Sequence, residues 1–183
     1  QGADYFTDVA SFAANETRKN VDLTVYDATS DDSAIRVVNA HTIVFVEEGV
    51  LRIQEVYVFA NMSDRTYVGS GDSTGGGRKG TLRFSLPAGF AGLDLGGDLA
   101  AAGIMASSSG FVDTLPVQPG SRQAFYSYRV NLDSGTYTYE RGVDYPTLKY
   151  SMLVQGDKVS VQGDSLTGSG TTDMGGTLFT GVA

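Results

Sequence analysis

The sequence predicts an all-β protein, an antiparallel β-sandwich of about ten strands joined by glycine-rich loops. The first reason is composition, because 24 Gly and 16 Asp stand against 5 Glu and 4 Lys, so turn formers outnumber helix formers. The second reason is that short segments alternate apolar and polar residues between clusters of Gly, Pro and Asp. The third is the lack of a convincing amphipathic helical pattern, which disfavours a helical bundle.

Two long segments form the clearest hairpin. Residues 35–47 are dense in β-branched side chains, and residues 50–60 run back after a turn at Glu48 and Gly49. On the second segment a set of apolar side chains shares one face, interrupted by Glu55: Leu51, Ile53, Tyr57 and Phe59. We expect the aromatic side chains of this face to be buried.

The remaining pattern divides the chain into an arm and one domain. Residues 1–18 are predicted to form an N-terminal arm or a first short strand, and residues 19–183 a single domain. Within residues 91–109, the core at 99–105 is expected to form one helical turn or a loose hairpin. The other predicted strands are residues 21–25, 81–86, 111–117, 122–132, 136–141, 148–154, 158–162 and 177–180.

The composition excludes several kinds of chemistry and partner. The sequence has no Cys and one His, so it can form no disulfide, thiol nucleophile or multi-histidine zinc site. The net charge of −8 and the scattered basic residues argue against binding to nucleic acid or to anionic lipid. No apolar run approaches the roughly 20 residues of a membrane-spanning helix, so we expect no direct membrane insertion.

Two serine motifs suggest a hydrolase but lack its context. Residues 71–75 match G-x-S-x-G around Ser73, yet they lie in a glycine-rich loop without a following helix. Residues 163–166 carry Ser165 in the motif of GDSL-type hydrolases, where the motif lies near the N-terminus and a catalytic His near the C-terminus. Here the motif lies near the C-terminus and no His follows it. We therefore predict no catalytic residue and no enzymatic activity.

His41 is the one imidazole of the chain. We interpret it as a structural histidine that forms a bond across the sheet. As a general base it would need a carboxylate partner, for which Glu47 and Glu55 are the candidates. The adjacent Glu47 and Glu48 cannot act together, because successive strand residues point to opposite faces.

The sequence predicts no cofactor, with calcium as the one candidate. Hard cations bind several loop oxygens, and Asp27, Asp31 and Asp32 lie in one turn-rich loop. Residues 131–133 before Gly135 are a second cluster. No complete calcium-binding loop motif occurs, and Asp-rich turns are common without a metal.

Four tyrosines are candidate ligand-binding residues. Tyr126 and Tyr128 share one face of a predicted strand, and Tyr137 and Tyr139 share one face of the next. If the turn at 133–135 pairs these strands, the four rings form one patch. Three alternatives stay open: a glycan platform, which would make the chain a carbohydrate-binding module, a protein interface, or part of the core.

Two sequons, at Asn15 and Asn61, predict N-linked glycosylation of a secreted or cell-surface chain. Arg65 is expected to form an ion pair with Asp64 and to lie near Glu55.

Several segments resemble a β-rich domain of prokaryotic cell-surface proteins that accompanies carboxypeptidase regulatory-like modules. The matching residues are 55–69, 81–89, 110–120 and 144–147. The resemblance implies a cell-surface location, a sandwich-like fold and no active site.

Together these features predict a non-catalytic extracellular subunit with a structural, adhesive or assembly role. Its partners would be other protein subunits, and a homopolymeric filament could form by strand addition. Leu178 and Phe179 lie in an apolar segment beyond glycine-rich residues 168–176 and are candidates for strand exchange. The alternative is that this strand folds back on its own domain. The N-terminal arm offers the same option for exchange.

Overall fold

The computed structural model describes residues 3–7, 9–71, 77–99, 103–133, 135–156 and 159, and the backbone of residues 167–171 and 177–181. These residues contain strands and no α-helix, so the predicted all-β class is confirmed. In chain order the strands are β1 (Ala28–Thr29), β2 (Ile35–Glu47), β3 (Val50–Asn61), β4 (Thr66–Tyr67), β5 (Leu82–Ser85), β6 (Ala91–Gly97), β7 (Ile104–Ser107), β8 (Gly110–Asp113), β9 (Gly120–Asn131), β10 (Tyr150–Gln155), β11 (Thr167–Thr171) and β12 (Thr177–Gly181). No helix within this described part is long and apolar enough to cross a bilayer.

The strands of the described part form three sheets. The largest has the order β11-β12-β10-β2-β3-β9-β6, a second has the order β5-β8-β7, and β1 pairs with β4. The predicted hairpin is confirmed, since β2 and β3 pair from Ile35 opposite Asn61 to Glu47 opposite Val50. A bulge at Val38 interrupts the register once, between Val37 and Asn39.

The large sheet is mixed and not antiparallel throughout, which corrects the prediction. β10 runs parallel to β2, with Ser151 opposite His41. Because β9 points in the same direction as β2, the chain must return along the whole sheet between β9 and β10. The described residues of 132–149, which we call the crossover, make this return, and Tyr145 and Thr147 within it are buried.

The crossover replaces a predicted strand. No strand is formed at the described residues between 132 and 149, so the predicted hairpin around Gly135 with a strand at 136–141 is wrong. Residues 91–109 supply β6 to the large sheet and β7 to the three-stranded sheet, so these strands do not form a hairpin with each other. The helical turn expected at 99–105 falls partly outside the described residues, and Gly103 within them has a 3-10 conformation. The strand predicted at residues 158–162 falls mostly outside the described residues.

The core lies between the large sheet and the three-stranded sheet. Phe84 of β5 packs edge-on against Phe59 of β3, with ring centres 5.5 Å apart. Phe111 of β8 packs against Tyr126 of β9 at 5.1 Å. The apolar alternation along β3 therefore faces this core, as the sequence predicts, and Glu55 enters the core with it.

Gly110 tests how closely the central strand β8 of the small sheet approaches its neighbour β5. It has φ near +142°, and a Cβ at this position would lie 2.0 Å from the carbonyl oxygen of Phe84. Gly120 has a comparable φ of +108° with no atom within 4 Å of its Cβ position. We expect Gly110→Ala to lower the free energy of unfolding by at least about 2 kcal/mol more than Gly120→Ala. Urea unfolding measures both, and equal losses would contradict the close approach.

Candidate functional site

The buried face of the large sheet centres on the carboxylate of Glu55, which is fully buried on β3. Thr42 of β2 donates a hydrogen bond to Oε2 at 2.8 Å. The hydroxyl groups of Tyr128 and Tyr139 donate to Oε1 at 2.9 and 2.8 Å. Arg141 Nη1 lies 2.8 Å from the same oxygen. A buried carboxylate with this many donors is fully compensated.

Arg141 reaches Glu55 because the crossover carries it over the middle of the sheet. Its Nη2 donates to the hydroxyl of Tyr126 at 2.7 Å, and its Nε donates to the carbonyl oxygen of Ser85 at 3.0 Å. Its Nη1 also contacts the hydroxyl of Tyr57, and the guanidinium carbon lies 4.9 Å from the centre of that ring. The guanidinium is thus committed to partners within the chain.

The tyrosines around this pair act as neutral hydrogen-bonding groups. Burial, followed by the charge of Glu55, raises the pKa of Tyr57, Tyr126 and Tyr128 above the ordinary value. The hydroxyl of Tyr150 donates to Thr42 Oγ1 at 2.9 Å, and burial raises the pKa of Tyr150 to about 12. Burial opposes the charge on Arg141, but Glu55 holds the pKa of that guanidinium well above its usual range. We refer to these residues as the tyrosine cage; they are Thr42, Glu55, Tyr57, Tyr126, Tyr128, Tyr139, Arg141 and Tyr150.

The four candidate tyrosines do not form a surface platform. Tyr126 and Tyr128 are 0% and 1% exposed, so their ring faces are not open to a sugar. Tyr137 and Tyr139 are half-buried and lie on the crossover, not on a strand paired with β9. The core alternative therefore describes Tyr126 and Tyr128. An open cleft of about 560 Å³ passes Tyr137 and Arg141, but the Arg141 donors point at the tyrosine cage and not into a ligand site.

The predicted calcium cluster does not form. Asp31 Oδ1 accepts a hydrogen bond from the backbone N–H of Ser33 at 2.9 Å, and this bond lowers the pKa of Asp31. Within the described residues, which include Asp27, Asp31 and Asp32, no three acidic or metal-binding side chains come close enough to hold an ion. The Asp31 carboxylate thus serves its own turn, as the competing interpretation holds.

His41 lies on the opposite face of the large sheet from Glu55, so Glu55 is not the carboxylate partner that a general base would need. Its Nδ1 contacts the hydroxyl of Ser151 on β10, which is the predicted bond across the sheet. Its Nε2 lies 2.8 Å from the Asn39 amide nitrogen. Burial lowers the pKa of His41, and the positive charge of Lys149 lowers it further by a smaller amount. Ser151 is 4% exposed, whereas His41 is half-buried.

The two sequons occupy different environments. Asn15 is exposed at a turn and has φ near +73°. Asn61 is buried, and its Nδ2 donates to the carbonyl oxygens of Arg65 and Val117 at 2.7 and 2.9 Å. Because Nδ2 is the atom that glycosylation modifies, the prediction for Asn61 is wrong for the folded chain. Arg65 lies 4.0 Å from Asp64 in an exposed pair and does not contact Glu55.

The remaining predicted residues lie near or beyond the limits of the described chain. Ser73 and Ser165 fall outside the described residues. Leu178 and Phe179 belong to β12, whose backbone pairs with β10 of the same chain opposite Leu153 and Met152. This pairing is the folded-back alternative to strand exchange.

A projecting arm is the feature that sequence reasoning located only in part. We use this name for residues 6–25, of which the described ones, all but residue 8, form no strand, so the strand predicted at residues 21–25 is wrong. The large apolar side chains of this arm are exposed: Phe6 87%, Val9 94%, Phe12 60%, Val21 51%, Leu23 50% and Val25 61%. Within the described residues no backbone hydrogen bond joins the arm to a sheet.

The base of the arm is fixed to the fold by Tyr5. Its hydroxyl donates to the carbonyl oxygen of Tyr26 at 2.9 Å and lies 2.8 Å from the hydroxyl of Thr66 in β4. The backbone N–H of Tyr26 donates back to the same hydroxyl at 3.2 Å. The arm turns at its far end, where Glu16 N donates to Ala13 O at 3.0 Å. Tyr5 and Tyr26, which flank the arm in sequence, are thus bonded to each other, while the apolar side chains between them are exposed to water.

Glu55→Gln tests the tyrosine cage. Removing one partner of a buried ion pair leaves the Arg141 charge uncompensated, so we expect the free energy of unfolding to fall by about 3–5 kcal/mol. Glu47→Gln is the matched control, because the Glu47–Arg52 pair is exposed and worth about 0–1 kcal/mol. Urea unfolding at constant pH measures both variants. A loss below about 1 kcal/mol for Glu55→Gln would contradict the assigned role.

His41 predicts a pH dependence of stability. Its pKa is lower in the folded chain than the ordinary value near 6.5, so folding favours the neutral ring. The stability that comes from the neutral ring is fully present above the pKa that His41 has in the unfolded chain. This stability is lost as the pH falls through the lower pKa that His41 has in the folded chain. We expect the melting temperature of the native chain to fall more between pH 7.5 and 5 than that of His41→Gln. Parallel pH profiles in differential scanning calorimetry would contradict the lowered pKa.

Comparison with known proteins places the chain in no family. No protein-family model and no curated protein matches the sequence. Among the solved structures that resemble it is the crystal structure of Legionella pneumophila aminopeptidase A in complex with aspartic acid, with 9% sequence identity and a TM-score of 0.47. The match covers 81% of this chain and 20% of that chain, so this chain spans about one fifth of the aminopeptidase. A match at this level assigns no activity.

Proposed function

We propose that this protein is a non-catalytic assembly subunit that joins other copies of itself through the projecting arm. The observation that carries the proposal is the exposure of six large apolar side chains, between 50% and 94%, within one short segment. Isolated exposed apolar residues are ordinary, but a contiguous set marks a surface that a partner covers.

The pattern of the arm suits strand addition. Val21, Leu23 and Val25 alternate with polar residues, which is the pattern of a strand buried on one face. The same residues have no backbone partner in a sheet of the described chain. Pairing with a sheet of another copy would satisfy the backbone groups and bury the apolar face in one step. Each Val, Leu or Phe side chain so buried contributes about 1.5–3 kcal/mol before the costs of association.

The tie at Tyr5 supports docking on another copy. Tyr5, Tyr26 and Thr66 hold the two ends of the arm together against the domain. The arm is therefore an exposed segment whose two ends are held at one place on the domain. Restricting its freedom before binding lowers the entropy lost when it docks.

The wider setting of the proposal comes from sequence. The resemblance to a β-rich domain of prokaryotic surface proteins supports a cell-surface location and a structural or adhesive role, with a filament as one form of assembly. The packing of the three-stranded sheet on the large sheet supports a sandwich arrangement. The commitment of Arg141 to its cage and the burial of Ser151 support a non-catalytic role.

Leu23→Asp tests the arm. We expect the native chain to self-associate as its concentration rises and the variant to associate about ten- to a hundredfold more weakly, because the apolar contribution of one Leu is lost. Multi-angle light scattering across a concentration series measures particle mass. Leu148→Asp is the matched control, since Leu148 is 60% exposed on the crossover and not on the arm.

The control separates the arm from general hydrophobic exposure. Equal weakening by both substitutions would show non-specific association and contradict the proposed role of the arm. A native chain that stays monomeric at the highest soluble concentration would contradict self-assembly altogether.

A further inference from the structure

An added strand needs a sheet edge that is open, so the outer strands of the two larger sheets are the candidate acceptors. In the described residues these outer strands are β11 and β6 of the large sheet and β5 and β7 of the three-stranded sheet. These strands differ in whether their outward backbone groups already form hydrogen bonds and in whether their register is regular enough to pair with a further strand.

The edge of β5 is closed by the crossover. The backbone N–H of Arg83 donates to the hydroxyl of Tyr145 at 3.0 Å, and that of Ser85 donates to Asp144 Oδ2 at 2.8 Å. The Nε of Arg141 donates a hydrogen bond to the carbonyl oxygen of Ser85. Side chains of the crossover thus take the place that a further strand would take.

The edges of the large sheet are irregular. The register of β6 with β9 shifts between Ala91 and Asp94, and both Gly92 and Gly97 have positive φ, near +64° and +68°. The register of β11 with β12 shifts between Gly168 and Gly170. Bulges of this kind bend a strand and disfavour pairing on its outer side.

In the part of the chain that the structure describes, the edge of β7 carries none of these protections. Its register with β8 is continuous from Ile104 opposite Asp113 to Ser107 opposite Gly110. Its sequence, Ile-Met-Ala-Ser, contains no charge and no proline. Met105 is 37% exposed, and Ala106 and Ser107 are exposed. Short length is the one feature that limits pairing at this edge.

We propose that β7 of a second copy accepts residues 21–25 of the arm as an added strand, an inference that rests on the proposed function. Val21, Leu23 and Val25 share one face of an extended segment. Ile104 and Ala106 lie opposite the buried Asp113 and Phe111 of β8, so they share the face of β7 that continues the core side, where Ala106 is still exposed. Pairing therefore brings the apolar face of the arm beside Ile104 and Ala106 and extends the core side of the small sheet.

Cysteine cross-linking tests the acceptor directly, because the native chain has no Cys to compete. One protein carries Thr24→Cys on the polar face of the arm, and a second carries Met105→Cys on the outer face of β7. Asp22→Cys is prepared in parallel to cover a register shifted by two residues. A protein with Asp94→Cys on β6 is the matched acceptor control, since Asp94 is exposed on the other nearby outer strand.

We expect mild oxidation of the mixed proteins to give a disulfide-linked heterodimer with Met105→Cys at least tenfold faster than with Asp94→Cys. Adding Leu23→Asp to the arm protein should abolish that preference, because random collisions do not depend on Leu23. Mass spectrometry of the linked peptides identifies the pair.

The outcomes separate this inference from the proposed function. Cross-links to Asp94→Cys at an equal or higher rate, or no preferred cross-link while the native chain still associates through Leu23, would overturn β7 as the acceptor and leave the assembly role standing. A native chain that does not self-associate in light scattering would overturn both.

Discussion

The ion pair between Glu55 and Arg141 is the interaction on which the arrangement of the chain depends. A carboxylate in the middle of β3 would be costly in the core without a positive partner. The partner comes from the crossover, which has to return along the sheet because β9 and β10 point the same way, and which carries Arg141 to the side of the sheet where Glu55 is buried. A buried pair contributes little more stability than an apolar pair of equal volume, but other paths of this segment would leave a buried charge unpaired. The pair therefore selects one path.

A second buried pair joins the two larger sheets at another place. Asp113 of β8 is fully buried and contacts Arg122 of β9, whose guanidinium also donates to the carbonyl oxygen of Asp98 at 3.0 Å. Burial raises the pKa of Asp113, while hydrogen bonds from the Leu115 backbone and the charge of Arg122 oppose the rise. The small sheet is thus held to the large one by aromatic packing at its centre and by charge at β8. This leaves β7 beyond the joined strand, as the outer strand of the small sheet.

Local pattern predicted the β2–β3 hairpin and the buried face of β3 well, because alternation and the turn at Gly49 are encoded within one stretch. The pattern of β3 shows Glu55 as an interruption of the apolar face, but it could not predict that Arg141 is the partner of Glu55. Arg141 lies far along the chain, in a segment for which local pattern predicts a strand. The turn residues around Gly135 fit a hairpin locally, yet pairing of β9 with both β3 and β6 leaves no edge for the next segment. Tertiary pairing therefore overrode local turn preference.

The same limit explains the arm. Alternation in residues 21–25 is as regular as in β3, but a pattern of apolar residues shows that a face is to be buried and not which chain buries it. Under the proposed pairing, donor and acceptor are different surfaces of one subunit, so the contact is heterologous. Copies that exchange arms reciprocally form a closed dimer, whereas copies that pass the arm in one direction form a ring or a filament. Because Tyr5 fixes both ends of the arm to the domain, the direction in which the arm projects relative to β7 decides between these assemblies.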